Sequence, residues 1–171
     1  MRSIELTLDD TTDAAVRVDW AALATAGVPS LASHKGATNR PHITVAAGPR
    51  LELGEGVAEA GRLLPFEVRF GGIILFPNGA VSGGSARWVL ARQVVVSRQL
   101  LGFHEAVHEH VAGALEDSMP DGWTPHVTLA RRLSFDLAGR ALAVLGGLPP
   151  GQCVAARLWD GELRTVRELS A

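Results

Sequence analysis

A six-residue segment that occurs twice constrains the fold of this chain more than any other feature of its sequence. Pro41-His42-Ile43-Thr44-Val45-Ala46 and Pro125-His126-Val127-Thr128-Leu129-Ala130 are identical at four of six positions, and the other two positions exchange one aliphatic residue for another. The two copies lie roughly half a chain apart. Such a duplication predicts a pseudo-symmetric molecule of two related lobes.

The alternation of polar and aliphatic residues within each copy is typical of a β-strand with one face in a core. Residues i and i+2 of a strand point to the same face, about 7 Å apart. His42 and Thr44 therefore share one face, and His126 and Thr128 share the corresponding face of the second copy. Two such strands facing each other would line a cleft with two imidazoles and two hydroxyls.

A cleft with this lining is suited to nucleophilic attack at phosphorus. One imidazole can take a proton from the nucleophile while the other gives a proton to the leaving oxygen, because the unperturbed pKa of histidine is about 6.5. Threonine hydroxyls can donate hydrogen bonds to the non-bridging phosphate oxygens. This chemistry requires no metal and no cofactor, so we expect neither.

The order of predicted elements indicates an α+β fold with mainly antiparallel strands. The turn signal at Pro77-Asn78-Gly79 predicts a hairpin in which Val81 and the following strand pair back, and Asp160-Gly161 predicts a closing hairpin. The predicted strands are 3–8, 42–46, 66–76 (possible break at Gly71-Gly72), 87–91, 126–130, 154–159 and 163–169. The predicted helices are one capped by Asp9 or Asp10 and ended by Gly27, then 51–63, 94–118 and 135–145.

Length and composition fit a single soluble domain, residues 1–171, that contains both lobes. A formal net charge of −2 argues against a protein that coats nucleic acid, but it permits binding of one phosphate at an RNA end. No apolar run approaches the roughly 18 residues of a membrane span. The start of the chain lacks the apolar stretch of a secretion signal, and there is a single cysteine, so we expect a cytoplasmic protein. The sequence indicates no obligate protein partner.

The paired His-x-Thr motifs make the chain resemble the 2H phosphoesterase superfamily, and within it the 2′-5′ RNA ligase and RNA 2′,3′-cyclic phosphodiesterase (LigT-like) branch. The resemblance implies two lobes, each with a mainly antiparallel sheet and outer helices, and a cleft between them. It implies that His42 and His126 are the acid–base pair and that Thr44 and Thr128 bind phosphate. The implied substrate is an RNA end or a cyclic nucleotide.

The resemblance also implies a reaction, the opening of a 2′,3′-cyclic phosphate to a 2′-phosphate, with 2′-5′ ligation as a second activity of the same site. By that analogy His126 would act as the base on water, and His42 as the acid on the departing 3′-oxygen. The symmetry of the two motifs leaves this assignment open.

Arginines beside the motifs are candidates for substrate binding, since the family has phosphate- or RNA-contacting residues at similar positions. Strand alternation predicts that Arg132 stays on the cleft face and that Arg131 leaves it, and a bulge would reverse this order. Arg40 flanks the first motif. For any one of them, solvated surface charge is the simpler interpretation.

The sequence does not identify a residue that stacks on a base. RNA-end enzymes often use an aromatic ring for this purpose, and the chain has no tyrosine. Phe76, Trp88, Phe103 and Trp123 are the candidates, and we expect Phe103 to pack in a helix core instead.

The sequence also permits two alternative functions. His104-Glu105-Ala106-Val107-His108 matches the His-Glu-x-x-His motif of zinc hydrolases on a predicted helix. We interpret this segment as the solvated face of the helix, because the duplicated strands would otherwise have no role. The second alternative is a non-catalytic module that binds RNA ends or nucleotides, although a binder needs no acid–base pair.

Overall fold

The computed structural model describes residues 1–34, 36, 38–77 and 87–169. Ten strands have the following bounds: β1 Arg2–Leu8, β2 His42–Gly48, β3 Glu52–Leu53, β4 Phe66–Val68, β5 Phe70–Pro77, β6 Trp88–Val94, β7 Val111–Ala112, β8 His126–Leu133, β9 Gly151–Asp160 and β10 Thr165–Glu168. Three α-helices are α1 Asp10–Thr25, α2 Arg98–His108 and α3 Phe135–Val144. Three short 3-10 helices span Leu31–Ser33, Val57–Leu63 and Glu116–Ser118.

Eight strands form one antiparallel sheet with the order β10-β9-β1-β2-β8-β6-β5, and β4 pairs with β9. The two strands of the duplicated motif, β2 and β8, are neighbours in the middle of this order. Their pairing is reduced to one residue pair, Ile43 with Val127. The α+β fold class with two strand groups is therefore confirmed, and the two groups meet at a narrow junction between the motif strands.

The two halves of the chain exchange elements across this junction. The closing hairpin β9–β10 pairs with β1, and so belongs to the group of the first motif. Helix α1 packs against β8, whereas α2 packs against β2. Each motif strand is thus supported from behind by the helix that precedes the other motif.

The aliphatic residues of both motifs are buried in one core, as the alternation predicted. Ile43, Val45, Val127 and Leu129 are all 0% exposed. Strand β1 is buried on both faces, although its polar–apolar alternation predicted only one buried face. The reason is its central position between β2 and β9, where its polar residues form the floor of a cleft.

The predicted helix 94–118 is wrong at both ends. Val94 belongs to β6, and α2 begins only after Ser97, whose hydroxyl accepts a hydrogen bond from the Leu100 N–H at 3.1 Å. The helix ends at His108, and the chain continues as β7 and a 3-10 turn. Gly113, directly after β7, has φ +76°, in the left-handed region that favours glycine and interrupts the predicted helix.

The predicted helix 51–63 is also wrong, because the segment forms β3 and a 3-10 helix. Glycines weaken α-helical propensity at three places here, and Gly54, Gly56 and Gly61 interrupt the pattern. The predicted strand 66–76 divides at Arg69, between β4 and β5. The turn residues Asn78 and Gly79 and the predicted pairing of Val81 lie outside the described residues.

Helices α1 and α3 and the closing hairpin are confirmed close to their predicted bounds. The Asp9 carboxylate accepts hydrogen bonds from the Thr11 and Thr12 N–H groups, both at 3.1 Å, so Asp9 is the cap of α1. In the part of the chain that the structure describes, no helix is both long enough and apolar enough to cross a membrane.

Candidate active site

The four motif side chains come together on one face of the sheet. His42, Thr44 and His126 line a common cavity of about 430 Å³ between the two strand groups. Thr128 lines the adjoining cavity, which also contains His126. Because β2 and β8 are antiparallel and pair through Ile43 and Val127, each histidine lies toward the threonine of the other strand.

Both histidines are held by the same hydrogen bond. The Nδ1 atom of His42 lies 2.7 Å from the Arg40 carbonyl oxygen, and that of His126 lies 2.7 Å from the Thr124 carbonyl oxygen. A carbonyl oxygen only accepts, so each Nδ1 carries the hydrogen and donates it. In the neutral ring the lone pair is then on Nε2, which is the nitrogen left to exchange a proton with a ligand.

The surroundings of His126 favour its neutral form. Burial lowers the pKa of His126 below the ordinary 6.5, and the positive charges of Arg131 and His42 lower it further. The hydrogen bond to the Thr124 carbonyl and the carboxylate of Asp117 act in the opposite direction without reversing the result. A neutral imidazole at neutral pH is the form that can accept a proton.

A buried carboxylate lies beside His42. Glu5 Oε1 is 3.6 Å from His42 Nε2 and accepts a hydrogen bond of 2.8 Å from the Ser3 hydroxyl. The other carboxylate oxygen is 2.8 Å from Nη2 and 2.9 Å from Nε of Arg157, and both partners of this ion pair are 5% exposed. Glu5 thus presents a fixed negative charge to the nitrogen of His42 that would carry a transferable proton.

The carbonyl groups of both motif threonines accept hydrogen bonds from tryptophans. Trp123 Nε1 donates to the Thr44 carbonyl oxygen at 2.9 Å, and Trp20 Nε1 donates to the Thr128 carbonyl oxygen at 3.2 Å. These donors lie at the junction where β2 and β8 have only one bridging pair. They satisfy backbone acceptors that a continuous ladder would otherwise satisfy, and they hold the threonines in position.

Two bulges in β8 reverse the predicted order of its arginines. Leu90 and Ala91 are consecutive on β6, but their partners Ala130 and Thr128 are two residues apart, which shifts the alternation of β8. Arg131 consequently lines the cavity of the two histidines and the adjoining cavity that contains Thr128. It also lines a third cavity, which lies on the His42 side. Arg132 is exposed at φ +61° and lines none of the three, so the prediction that Arg132 faces the cleft is wrong.

The Arg40 side chain lines none of the three cavities and faces helix α1 instead. Its Nε is 3.2 Å from the Asp13 carboxylate on helix α1, and it also faces Asp10 at 3.8 Å. What Arg40 contributes to the site is its backbone carbonyl, which accepts the hydrogen bond from His42.

Of the aromatic candidates, Phe76 is the one that packs against a motif histidine. Its ring centroid is 4.7 Å from that of His126. Trp123 also lines the cavity, but its ring is stacked on His104 at 3.9 Å. Phe103 is fully buried, as expected, and Trp88 packs against Phe135, away from the histidines.

Glu5, Arg157 and Trp159 lie in the cleft although no sequence pattern predicted them there. Trp159 lines the cavity of the two histidines and the cavity beyond His42. Strand alternation predicts that Ser3 and Glu5 share one face of β1. Their partners on β9 are Trp159 and Arg157, respectively. The pairing of β1 with β9 joins opposite ends of the chain, and a local pattern does not reveal it.

The His-Glu-x-x-His segment is not a solvated helix face, and its histidines are engaged in other contacts. His104 is 0% exposed, and its Nε2 donates to the Ser118 carbonyl oxygen at 3.0 Å. Burial lowers the pKa of His104 to about 4, so its ring is neutral. His108 Nε2 donates to the Val45 carbonyl oxygen at 3.2 Å. A nitrogen that carries a hydrogen has no lone pair for a metal, so these contacts argue against the zinc hypothesis. The two side chains instead support the region of strand β2.

Comparison with known proteins agrees with this architecture. The family model of the 2′-5′ RNA ligase superfamily matches residues 17–159. The chain belongs to this superfamily, whose members are 2H phosphoesterases. The confirmed resemblance extends over both motif strands.

Solved structures share the fold at low sequence identity. Usb1 of Kluyveromyces marxianus is 12% identical, with a TM-score of 0.52 over 99% of this chain and 97% of that chain. A second structure of Usb1, with uridine monophosphate, is 13% identical, with the same TM-score and coverage. The search of curated proteins finds no match.

Proposed function

We propose that this chain is a metal-independent phosphoesterase that opens a 2′,3′-cyclic phosphate at an RNA end or on a nucleotide to the 2′-phosphate. The observation that carries the proposal is the pair of Nε2 atoms of His42 and His126 in one cavity, each ring oriented by a hydrogen bond from Nδ1. Membership of the 2′-5′ RNA ligase superfamily and the Usb1-like fold support RNA as the substrate.

In the proposed reaction, His126 is the base and His42 is the acid. Neutral His126 takes a proton from water at Nε2 as the oxygen of that water bonds to phosphorus. The bond from phosphorus to the 3′-oxygen breaks, and Nε2 of protonated His42 gives its proton to that oxygen. The lowered pKa of His126 and the Glu5 carboxylate beside His42 support this direction. With a 5′-hydroxyl in place of water as the nucleophile, the same groups would give 2′-5′ ligation.

Charge on the phosphate requires donors that are already oriented. We propose that the hydroxyls of Thr44 and Thr128 and the guanidinium of Arg131 donate to the non-bridging oxygens. Arg131 lines both cavities that contain His126, and Thr128 is only 7% exposed. Donors fixed before the reaction stabilise developing charge without the cost of reorganisation.

The domain organisation and the cellular location are also proposals. A single domain of residues 1–171 with two pseudo-repeat lobes is supported by the continuous eight-stranded sheet. A cytoplasmic location rests on the sequence alone.

The proposal is tested by incubating the purified protein with a nucleoside 2′,3′-cyclic phosphate in excess EDTA and identifying the product isomer. We expect the 2′-phosphate, and its loss in the His42→Ala and His126→Ala variants. His110→Ala is the matched control, because His110 is exposed and lies outside the three cavities of the cleft. Loss of activity in EDTA would contradict the metal-independent mechanism. Absence of turnover together with nucleotide binding would favour the non-catalytic module.

A further inference from the structure

A second compartment of the cleft lies on the His42 side. It has a volume of about 440 Å³ and shares His42, Glu5 and Arg131 with the lining of the cleft already described. Trp159 also lines both, and the walls that belong to this compartment alone include Asn39 and Arg164. The volume is in the range of ordinary small-molecule sites. The proposed reaction uses His42, Glu5 and Arg131 and gives no role to the remaining walls of this compartment.

The described lining of this compartment has a surplus of positive charge. Glu5 is its one carboxylate, and that group is already paired with Arg157 at 2.8 Å. Arg131 and Arg164 are exposed and have no carboxylate within 4.0 Å among the described residues. Because Arg131 is assigned to the reacting phosphate, Arg164 is the guanidinium left beside the aromatic wall, where it can bind a second phosphate attached to the nucleoside.

The backbone holds Arg164 in a conformation that arginine rarely adopts. Its φ is +55°, in the left-handed region that favours glycine. The preceding turn is closed by the Asp160 carboxylate, which accepts hydrogen bonds from the Glu162 and Leu163 N–H groups at 3.0 and 3.1 Å. Strained backbone of this kind is frequent at functional sites, and the Arg164 side chain lines the cavity, so a binding role for Arg164 is consistent with its strain.

We propose that Arg164 binds the phosphate on the 5′ side of the nucleoside whose 2′,3′ end reacts. This inference rests on the proposed function, since the 3′-oxygen departs beside His42 and the rest of the nucleoside must extend from there. Trp159 forms a wall for that nucleoside. The substrate class is therefore a 5′-phosphorylated nucleotide or an RNA 3′ end, in preference to a nucleoside with a single phosphate.

Calorimetric titration of the full chain with product-like ligands tests the second-phosphate site. We expect adenosine 2′,5′-bisphosphate to bind about tenfold or more tightly than adenosine 2′-monophosphate. Arg164→Gln should remove most of this gain. Arg164→Gly should do the same without a loss of stability, because glycine relieves the positive φ. Arg167→Gln is the matched control, an exposed arginine on the same hairpin that is not part of the cavity lining.

A dinucleotide that ends in a 2′-phosphate distinguishes the two sources of the second phosphate. An Arg164-dependent gain with the dinucleotide identifies an RNA end, and a gain confined to the bisphosphate identifies a free 5′-phosphate. Equal affinity of wild-type protein for the mono- and bisphosphate, or an unchanged gain in both Arg164 variants, would overturn the inference. Hydrolysis without any such gain leaves the proposed function intact, whereas an Arg164-dependent gain without hydrolysis leaves only the binding site.

Discussion

His42 and His126 have the same hydrogen bond on Nδ1 but different charged neighbours. In both copies the ring donates to the carbonyl oxygen two residues earlier, at 2.7 Å. His42 faces the Glu5 carboxylate, whereas the positive charge of Arg131 acts on His126. The position that holds Arg131 in the second copy holds Ala47 in the first. The duplication thus preserved the orientation of the rings, and residues outside the motif made their electrostatic surroundings unequal.

The largest expected effect separates the two proposed roles by leaving group. His42→Ala and His126→Ala should each reduce kcat/KM on a 2′,3′-cyclic nucleotide by about 10²–10⁴-fold. On a nucleoside p-nitrophenyl phosphodiester, whose leaving group departs without protonation, His42→Ala should recover most of its activity and His126→Ala should not. Steady-state kinetics on both substrates measure this. Equal recovery of the two variants would refute the assignment of acid and base.

The second effect concerns the charge that distinguishes the His42 side. Glu5→Gln leaves the buried guanidinium of Arg157 without its counter-charge, so the free energy of unfolding should fall by about 3–5 kcal/mol. Chemical denaturation measures this loss. Glu67→Gln is the control, because its pair with Arg69 is largely exposed and should contribute about 1 kcal/mol or less. Comparable losses for the two variants would mean that the buried Glu5–Arg157 pair stabilises the fold no more than an exposed pair does.

The third effect concerns the charge on the His126 side. Arg131→Gln removes a charged donor to the phosphate, which should lower kcat/KM by about 10–150-fold. Arg132→Gln, one residue further along the same strand, should change it little.

The same two variants should also differ in the pH dependence of kcat/KM. The base must be neutral, and the pKa of His126 is lowered, so the acidic limb of kcat/KM should lie below pH 6.5. Arg131 contributes to that lowering, so Arg131→Gln should move the limb to higher pH, and Arg132→Gln should leave it in place. A limb that moves to lower pH in Arg131→Gln would contradict the electrostatic argument.

The smallest effect tests whether the two strands are supported alike. Trp123→Phe and Trp20→Phe each remove an indole N–H from a motif threonine carbonyl and keep most of the apolar volume. Each should lower the free energy of unfolding by about 1–3 kcal/mol, because a buried carbonyl loses its donor. Thermal unfolding together with kcat/KM separates a loss of stability from a loss of positioning. An unchanged kcat/KM in both variants would limit the tryptophans to a structural role.

The duplicated motif was predictable because strand alternation is a local property. Two polar side chains on one face and two aliphatic ones on the other follow from a period of two, and the structure has this arrangement in β2 and β8. The helices α1 and α3 and the closing hairpin follow in the same way from caps and turn residues. Periodicity alone gave an α-helix at 51–63, where glycines leave a strand and a 3-10 helix, and a helix at 94–118 that was too long at both ends.

The other residues of the site are brought together by contacts between distant parts of the chain. Glu5 and Arg157 meet because β1 pairs with β9, and His104 is buried because α2 packs behind β2. Arg131 faces the histidines because pairing with β6 introduces a bulge that no local signal in β8 announces. Local sequence is enough to predict which side chains of each six-residue motif share a face, since the backbone sets this over a few residues. Which charges lie beside each histidine was decided by sheet order and register, because these depend on pairing across the whole chain.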